Sequence, residues 1–403
     1  MGVERRQTGE LDSAFMTARL PSEPTRRAAL IAALSAVTGG AASMLAACSA
    51  QAVRRDGHPT SSRLRLLSSA TVPHGFAFRD TPVGGLSAID FDTATSAYLL
   101  LSDDRSDRAP ARFYTAQWNG TGSPEWTDVA FLQQADGKPW PNRSQAASHV
   151  PVLDPEGARL RPATGTLLWS TEGDVPRGFG PALYESRRDG RLVREFTLPP
   201  MFAAGDGRTR GPRDNLGFEG LALTPDGRFA WLAMEAALCQ DGPVPAVAAP
   251  GGPCRLTQID LVSGRAVRQI AYGPDAIPLR PLVPGTFADN GISEILMIDA
   301  DRMLVLERAY AVGAGNSLRL YEIDTRAASD TLAIDALALS NHRLAVKTLV
   351  ADFATLGLPR LDNTEGMCWG PPRPGGRRTL VVVSDDNFNR SQITQFAAFE
   401  FTD

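Results

Sequence analysis

Along most of the chain the apolar residues fall in short runs bounded by Gly, Pro and Asp, with little of the i, i+3, i+4 spacing of amphipathic helices. Tyr98-Leu99-Leu100-Leu101, Thr166-Leu167-Leu168-Trp169, Phe229-Ala230-Trp231-Leu232, Met303-Leu304-Val305-Leu306 and Leu380-Val381-Val382-Val383 are such runs. They predict buried strands. Some 11 to 16 residues before each stands a related phrase: Gly85-Leu86-Ser87-Ala88, Pro155-Glu156-Gly157-Ala158, Phe218-Glu219-Gly220-Leu221, Ile292-Ser293-Glu294-Ile295 and Thr364-Glu365-Gly366-Met367. Each run is soon followed by acids: Asp103-Asp104, Glu172, Glu235, Glu307 and Asp385-Asp386. The predicted unit is phrase, strand, turn, strand, acid.

Aligned on Ser87, Gly157, Gly220, Glu294 and Gly366, the unit recurs five times at intervals of 63 to 74 residues. Self-similarity at that period is the mark of radial repetition. Thr224-Pro225-Asp226-Gly227-Arg228 has the composition of a tight hairpin turn between two of the strands. The expected fold is an all-β propeller of five to seven blades. In a propeller the equivalent ends of successive blades meet around one axis, so the repeated acids are expected to form a ring at one mouth of the channel. Packed carboxylates cannot all stay ionised without cations, and hard oxygen ligands favour Ca²⁺ or Mg²⁺ over softer metals. The candidate cation ligands are Asp103, Asp104, Glu156, Glu219, Glu294, Glu365, Asp385 and Asp386, with Glu172, Glu235 and Glu307 beside them, and Ca²⁺ is the expected ion.

Before this repeat lies a different kind of sequence. Thr25-Arg26-Arg27 opens an apolar, charge-free run to Ala47 that is short and alanine-rich, as in an export signal of the twin-arginine type over residues 1–47. Leu45-Ala46-Ala47-Cys48 fits lipoprotein cleavage before Cys48, which would carry the lipid. Residues 48–64 are polar and suit a flexible tether, which leaves 65–403 as one folded domain. Ser49 in place of Asp favours the periplasmic face of an outer membrane. The net charge of −4 gives no support to nucleic-acid binding. In an oxidising compartment Cys239 and Cys254 are expected to form a disulfide closing a loop of about 15 residues, worth roughly 3 kcal/mol. Cys368 is expected to be a buried free thiol. The four histidines are scattered and no CxxC pair exists, which speaks against zinc.

A longer set of motifs carries a resemblance. Gly84-Gly85-Leu86-Ser87-Ala88-Ile89-Asp90 leads to Ser102-Asp103-Asp104-Arg105 and Pro110-Ala111-Arg112-Phe113-Tyr114. Asn215-Leu216-Gly217-Phe218-Glu219-Gly220, Asn290-Gly291-Ile292-Ser293-Glu294, Asp362-Asn363-Thr364-Glu365-Gly366 and Ser384-Asp385-Asp386-Asn387-Phe388-Asn389 follow in order. Together they resemble the phytase-like family, also described as "esterase-like activity of phytase", from about Leu64 to Phe401. The resemblance implies hydrolysis of phosphate or carboxyl esters. No GxSxG elbow is present, and Ser87, Ser102 and Ser384 would have to borrow His74, His149 or His342 for a triad, so carboxyl-ester chemistry is the weaker expectation. A cation-dependent phosphoric-ester hydrolase acting on phytate or another small anionic phosphate ester is the stronger one. Its catalytic candidates are Asp103, Asp104, Arg105, Glu307 and Arg308, with Arg112 a further phosphate clamp and Asn215, Asn290, Asn363 and Asn387 as neutral oxygen ligands or turn formers. The rival expectation is a non-catalytic propeller that binds a polyanion, sugar or protein.

Overall fold

The alternation and turn chemistry of the repeat produce five four-stranded antiparallel sheets in the computed structural model, which describes residues 63–403. The export signal, Cys48 and nearly all of the expected tether lie outside the described residues. Blade 1 consists of Leu86–Asp92, Ala97–Ser102, Arg112–Gln117 and Glu125–Phe131. Blade 2 consists of Pro155–Arg161, Thr166–Thr171, Ala182–Ser186 and Leu192–Glu195. Blade 3 runs through Phe218–Leu223, Phe229–Met234, Cys254–Asp260 and Arg265–Tyr272, and blade 4 through Ala288–Met297, Arg302–Ala311, Gly315–Asp324 and Lys347–Asp352. Blade 5 takes three strands from the C-terminal end, Asn363–Trp369, Arg378–Asp385 and Thr394–Phe401, and its outermost strand from Leu64–Val72. The first strand of each blade touches the first strands of both neighbouring blades, which closes the ring: the protein is a five-bladed β-propeller.

Each of the five blade interfaces has its own apolar cluster. Between blades 1 and 2, for example, Leu101 and Phe113 pack with Leu167, Trp169 and Tyr184. The five predicted runs are the second strands of the five blades, and Thr224–Arg228 is the hairpin of blade 3, where Thr224 N–H donates to Phe229 O at 2.9 Å.

The first strand of every blade is interrupted by a β-bulge at the repeated phrase, which skips Ser87, Glu156-Gly157, Glu219, Ser293 or Glu365 in the pairing. The bulges correct the alignment by one residue in blade 1, where Ser87 stands with Glu156, Glu219, Ser293 and Glu365. The residue after the bulge then explains the recurrent glycine. A Cβ on Gly157 would lie 2.6 Å from Leu221 Cβ and 3.0 Å from Glu219 O; one on Gly220 would lie 2.9 Å from Ile295 N. Backbones of successive blades meet there too closely for a side chain.

In blade 4 that position is Glu294, which closes the ring differently. Its carboxylate pairs with Arg159 at 2.7 Å and accepts from Leu221 N and Ile295 N. The Arg159 guanidinium also donates to Ile89 O, Ile295 O and Met367 O. This one buried ion pair therefore ties together all five blades.

The expected Cys239–Cys254 disulfide is absent, and both thiols are free. Cys254 opens a buried strand with its Sγ 3.3 Å from Glu235 O, whereas Cys239 sits in a short turn with Sγ 3.5 Å from the Arg213 guanidinium. The loop between them is fastened instead by a fully buried bidentate pair, Arg255 Nε and Nη2 to Asp241 at 2.6 and 2.8 Å. Cys368 is a buried free thiol, as expected.

Candidate functional site at the channel mouth

Two positions of the repeat build the site. One is the bulged residue of the first strand: Glu156, Glu219 and Glu365 in blades 2, 3 and 5. The other follows the second strand's Ser102, Thr171 or Met234. Asp103 N, Glu172 N and Glu235 N each donate to a backbone oxygen just before the neighbouring first strand (Gly85, Asp154 and Gly217 respectively). Strand pairing puts Arg308 and Asp385 at the same level in blades 4 and 5, opposite Gly291 and Asn363. Asp154, just before the bulge of blade 2, completes the group. All of these side chains are buried.

They converge. Oxygens of Asp103, Asp154 and Glu156 lie within 4.8 Å of one another, and so do those of Glu172, Glu219 and Glu235. Burial first, then the charges of Glu219, Asp154 and Glu365, push the Glu156 carboxyl well above the ordinary range. Glu172 is raised by burial and by Asp154 and Glu235, and Glu219 by burial and by Glu235 and Glu172. Two arginines stand among the acids. Arg105 pairs with Asp154 and donates to Asn215 Oδ1 at 2.7 Å; Arg308 donates to Asn363 Oδ1 at 2.7 Å and lies 3.3 Å from Glu235 and 3.7 Å from Glu365. Burial alone would lower Arg308, but Glu365, Glu235 and Glu219 outweigh it and keep the guanidinium firmly charged. Among the described residues Asp154 Oδ1 and the Nε atoms of Arg105 and Arg308 have no hydrogen-bond partner.

A scan against protein-family models matches residues 81–388 to the phytase-like model, described as "esterase-like activity of phytase". The chain belongs to the phytase-like family. No curated protein matches it. Among solved structures, the phytase-like chain is similar to the catalytic domain of a Coprinopsis cinerea α-L-arabinofuranosidase at 10% identity, covering 84% of this chain and 98% of that one with a TM-score of 0.43. It is also similar to a Pseudomonas aeruginosa periplasmic gluconolactonase at 14% identity, with 80% and 87% covered and a TM-score of 0.31. At these identities and scores the likenesses bear on neither substrate nor mechanism.

Within the phytase-like domain several expected members of the ring are engaged elsewhere. Asp104 caps a turn, accepting from the backbone N–H groups of Asp107, Arg108 and Ala109, and holds the buried Arg112 at 2.8 Å. Arg112 in turn donates to Pro82 O and Tyr114 Oη, so it is a structural tie and not a clamp open to ligand. Glu307 is one residue out of phase with Arg308, and side chains alternate across a strand, so it points away from the axis. It accepts from Tyr272 Oη, Lys347 Nζ, Asn290 Nδ2 and Asp275 N. Glu294 belongs to the interblade pair with Arg159. Asp386 accepts from Gly85 N and Phe388 N and faces His74, and so stands outside the two acid triads. Asp385 lies at ring level and accepts from Asn387 N and Asn363 Nδ2.

Ser87 and Ser293, the bulge residues of blades 1 and 4, donate to Pro155 O and Thr364 O of the next blade, and Ser102 to Gly84 O. None of the three is free as a nucleophile. Asp154 is the member that the repeat did not single out, because only blade 2 carries an acid two residues before its bulged residue; its place in Asp154-Pro155-Glu156 was the available signal.

Proposed function

We propose that the channel mouth is the site of a cation-dependent hydrolase acting on small phosphoric esters. The observation that carries this reading is the pair of buried acid triads, one of them with an oxygen of Asp154 lacking a partner, set beside the buried Arg308 and the half-buried Arg105. Three buried carboxylates within 4.8 Å are costly as an isolated set of charges. Oxygen donors alone, with no thiol or imidazole, fit Ca²⁺ or Mg²⁺. Asp103, Asp154 and Glu156 would hold one ion and Glu172, Glu219 and Glu235 another. Bound there, the ions supply positive charge to phosphate oxygens and lower the pKa of a water.

The chain's own residues do the rest. Arg105 and Arg308, bound to Asn215 and Asn363, supply positive charge beside the acids and keep buried Nε–H donors without a partner. The Arg159–Glu294 pair fixes the five first strands relative to one another and so keeps the acids in register.

We propose as well, on the sequence of residues 25–48 alone, that the protein is exported and lipidated at Cys48. Leu64 pairs with Phe401 and Val72 with Thr394, so the chain enters blade 5 at the end away from the acids.

Phosphate release from phytate and from a chromogenic phosphomonoester, with Ca²⁺ and with chelator, tests the proposal, with a short-chain carboxyl ester as control. Ca²⁺-dependent release that falls at least about a hundredfold in Asp154→Asn and in Glu219→Gln is the expected result. If no ester turns over under any divalent cation while Ca²⁺ still raises the melting temperature, the triads serve structure or binding and the hydrolase reading is wrong.

A further inference from the structure

The histidines look scattered along the sequence, but the fold brings one of them to the mouth end of the propeller. His74 lies in the turn after the outermost strand of blade 5, and its Nδ1 is 3.6 Å from Asp386 Oδ2, contributed by the loop after that blade's second strand. Asp386 is itself fixed: its Oδ1 accepts from Gly85 N at 3.1 Å and from Phe388 N at 3.0 Å. Gly85 ties this carboxylate to the ring, because its carbonyl accepts from Asp103 N at 2.7 Å and a Cβ placed on it would collide with Asp103 Oδ1. Asp386 and the first acid triad thus flank one glycine.

The turn that arranges this is strained. Asn387 and Phe388 both have positive φ, 47° and 51°, and for a bulky residue such as Phe388 that conformation is a genuine outlier. Strain of this kind gathers at functional sites. Here it lays the Phe388 ring against Gly84 and Gly85, within 3.0 and 2.6 Å of where their Cβ atoms would stand, and Arg108 stacks 4.5 Å above that ring. An aromatic wall therefore shields the side of the glycine pair shared by Asp103 and Asp386. The His74 side chain is 35% exposed, so Asp386 does not bury it.

We propose that His74, oriented by Asp386, is the general acid of the reaction assigned above, protonating the oxygen of the departing alcohol. This inference rests on the hydrolase reading. As the water oxygen forms its bond to phosphorus, the bond from phosphorus to the ester oxygen breaks and that oxygen keeps the electron pair. It takes the proton from Nε2 of the imidazolium; the attacking water releases its own proton to solvent, and the neutral imidazole recovers one from solvent. Positioned imidazoles contribute typically 10² to 10⁴ in rate through such transfers.

The test compares two esters on the full chain with Ca²⁺: glycerol 2-phosphate, whose alkoxide cannot leave without a proton, and p-nitrophenyl phosphate, whose phenolate can. In His74→Gln, kcat on the alkyl ester is expected to fall about a hundredfold and on the aryl ester less than about tenfold. Added imidazole should restore part of the alkyl-ester activity in His74→Ala. The Ca²⁺-dependent rise in melting temperature should be unchanged in both variants, which separates a proton donor from a cation ligand. Equal losses on the two esters, or no loss on either, overturn the assignment of His74. A wild-type chain inactive on both esters with every divalent cation overturns the hydrolase reading, and this inference with it.

Discussion

Glu156, Glu172 and Glu219 show how much a residue's chemistry depends on its neighbours, since the same side chain in solution titrates near 4.5. Burial and adjacent acids raise all three, and burial raises Glu294 to about 7 against the opposing pull of Arg159. The sign follows from proton linkage. Above the unfolded pKa, near 4.5, the folded state binds more protons than the unfolded one, so stability falls as pH rises, for Glu294 up to about pH 7. Chelated protein should therefore melt at progressively lower temperature between about pH 4.5 and 7, and below that window these groups should contribute no slope. Cations replace the protons, so the Ca²⁺-induced rise in melting temperature should be larger at about pH 8 than at about pH 5. A rise that is independent of pH would place the ion away from these glutamates.

At the scale of the element, the bulge and the glycine after it act together. The bulge takes one residue out of the ladder, or two in blade 2, and the glycine lets the next blade's backbone approach. Gly157→Ala and Gly220→Ala, which force a Cβ into contacts of 2.6 to 3.0 Å, should each cost about 1–3 kcal/mol by denaturant unfolding. Gly227 is a control, because it has φ +66° but nothing within 4 Å of a Cβ, so Gly227→Ala should cost only the left-handed strain of about 1 kcal/mol. The ion pair between elements is more sensitive. Arg159→Met leaves Glu294 buried without its cation and should cost about 3–5 kcal/mol, whereas Arg159→Met with Glu294→Gln should recover part of that loss, because no charge is then stranded.

The whole molecule is closed by a strand from the other end of the chain. Leu64–Val72 pairs along its length with Thr394–Phe401, and Leu64 packs in the cluster between blades 4 and 5 with Leu380 and Phe401. A chain lacking residues 1–72 exposes the edge of Thr394–Phe401 and the apolar residues under the missing strand. It should be recovered chiefly as aggregate, or melt well below the intact chain, as read by soluble yield and thermal unfolding. Supplying residues 60–75 as a peptide should raise its melting temperature, because the missing contacts are all with one strand edge.

The strands, the hairpin at Thr224–Arg228 and the five units were legible in the sequence, because alternation, turn chemistry and repetition are local properties of the chain. The same holds for the convergence of Asp103, Glu156, Glu172, Glu219, Glu235 and Glu365, since equivalent positions in equivalent blades must meet at the axis. What the sequence left open is which acids face that axis. Glu307 and Arg308 differ by one residue, and the parity of the strand turns one outward and the other into the ring. Glu294 and Asp104 carry the same charge as their neighbours, but partners distant in the chain or in the next turn claim them first. Cys239 and Cys254 are close in sequence, yet the buried Arg255–Asp241 pair fastens their loop while the thiols face different neighbours. His74 and Asp386 are 312 positions apart and meet only because the first strand completes the last blade. Phase along a strand, competition for partners and ring closure are properties of the assembled sheets, so the tertiary structure alone decided them.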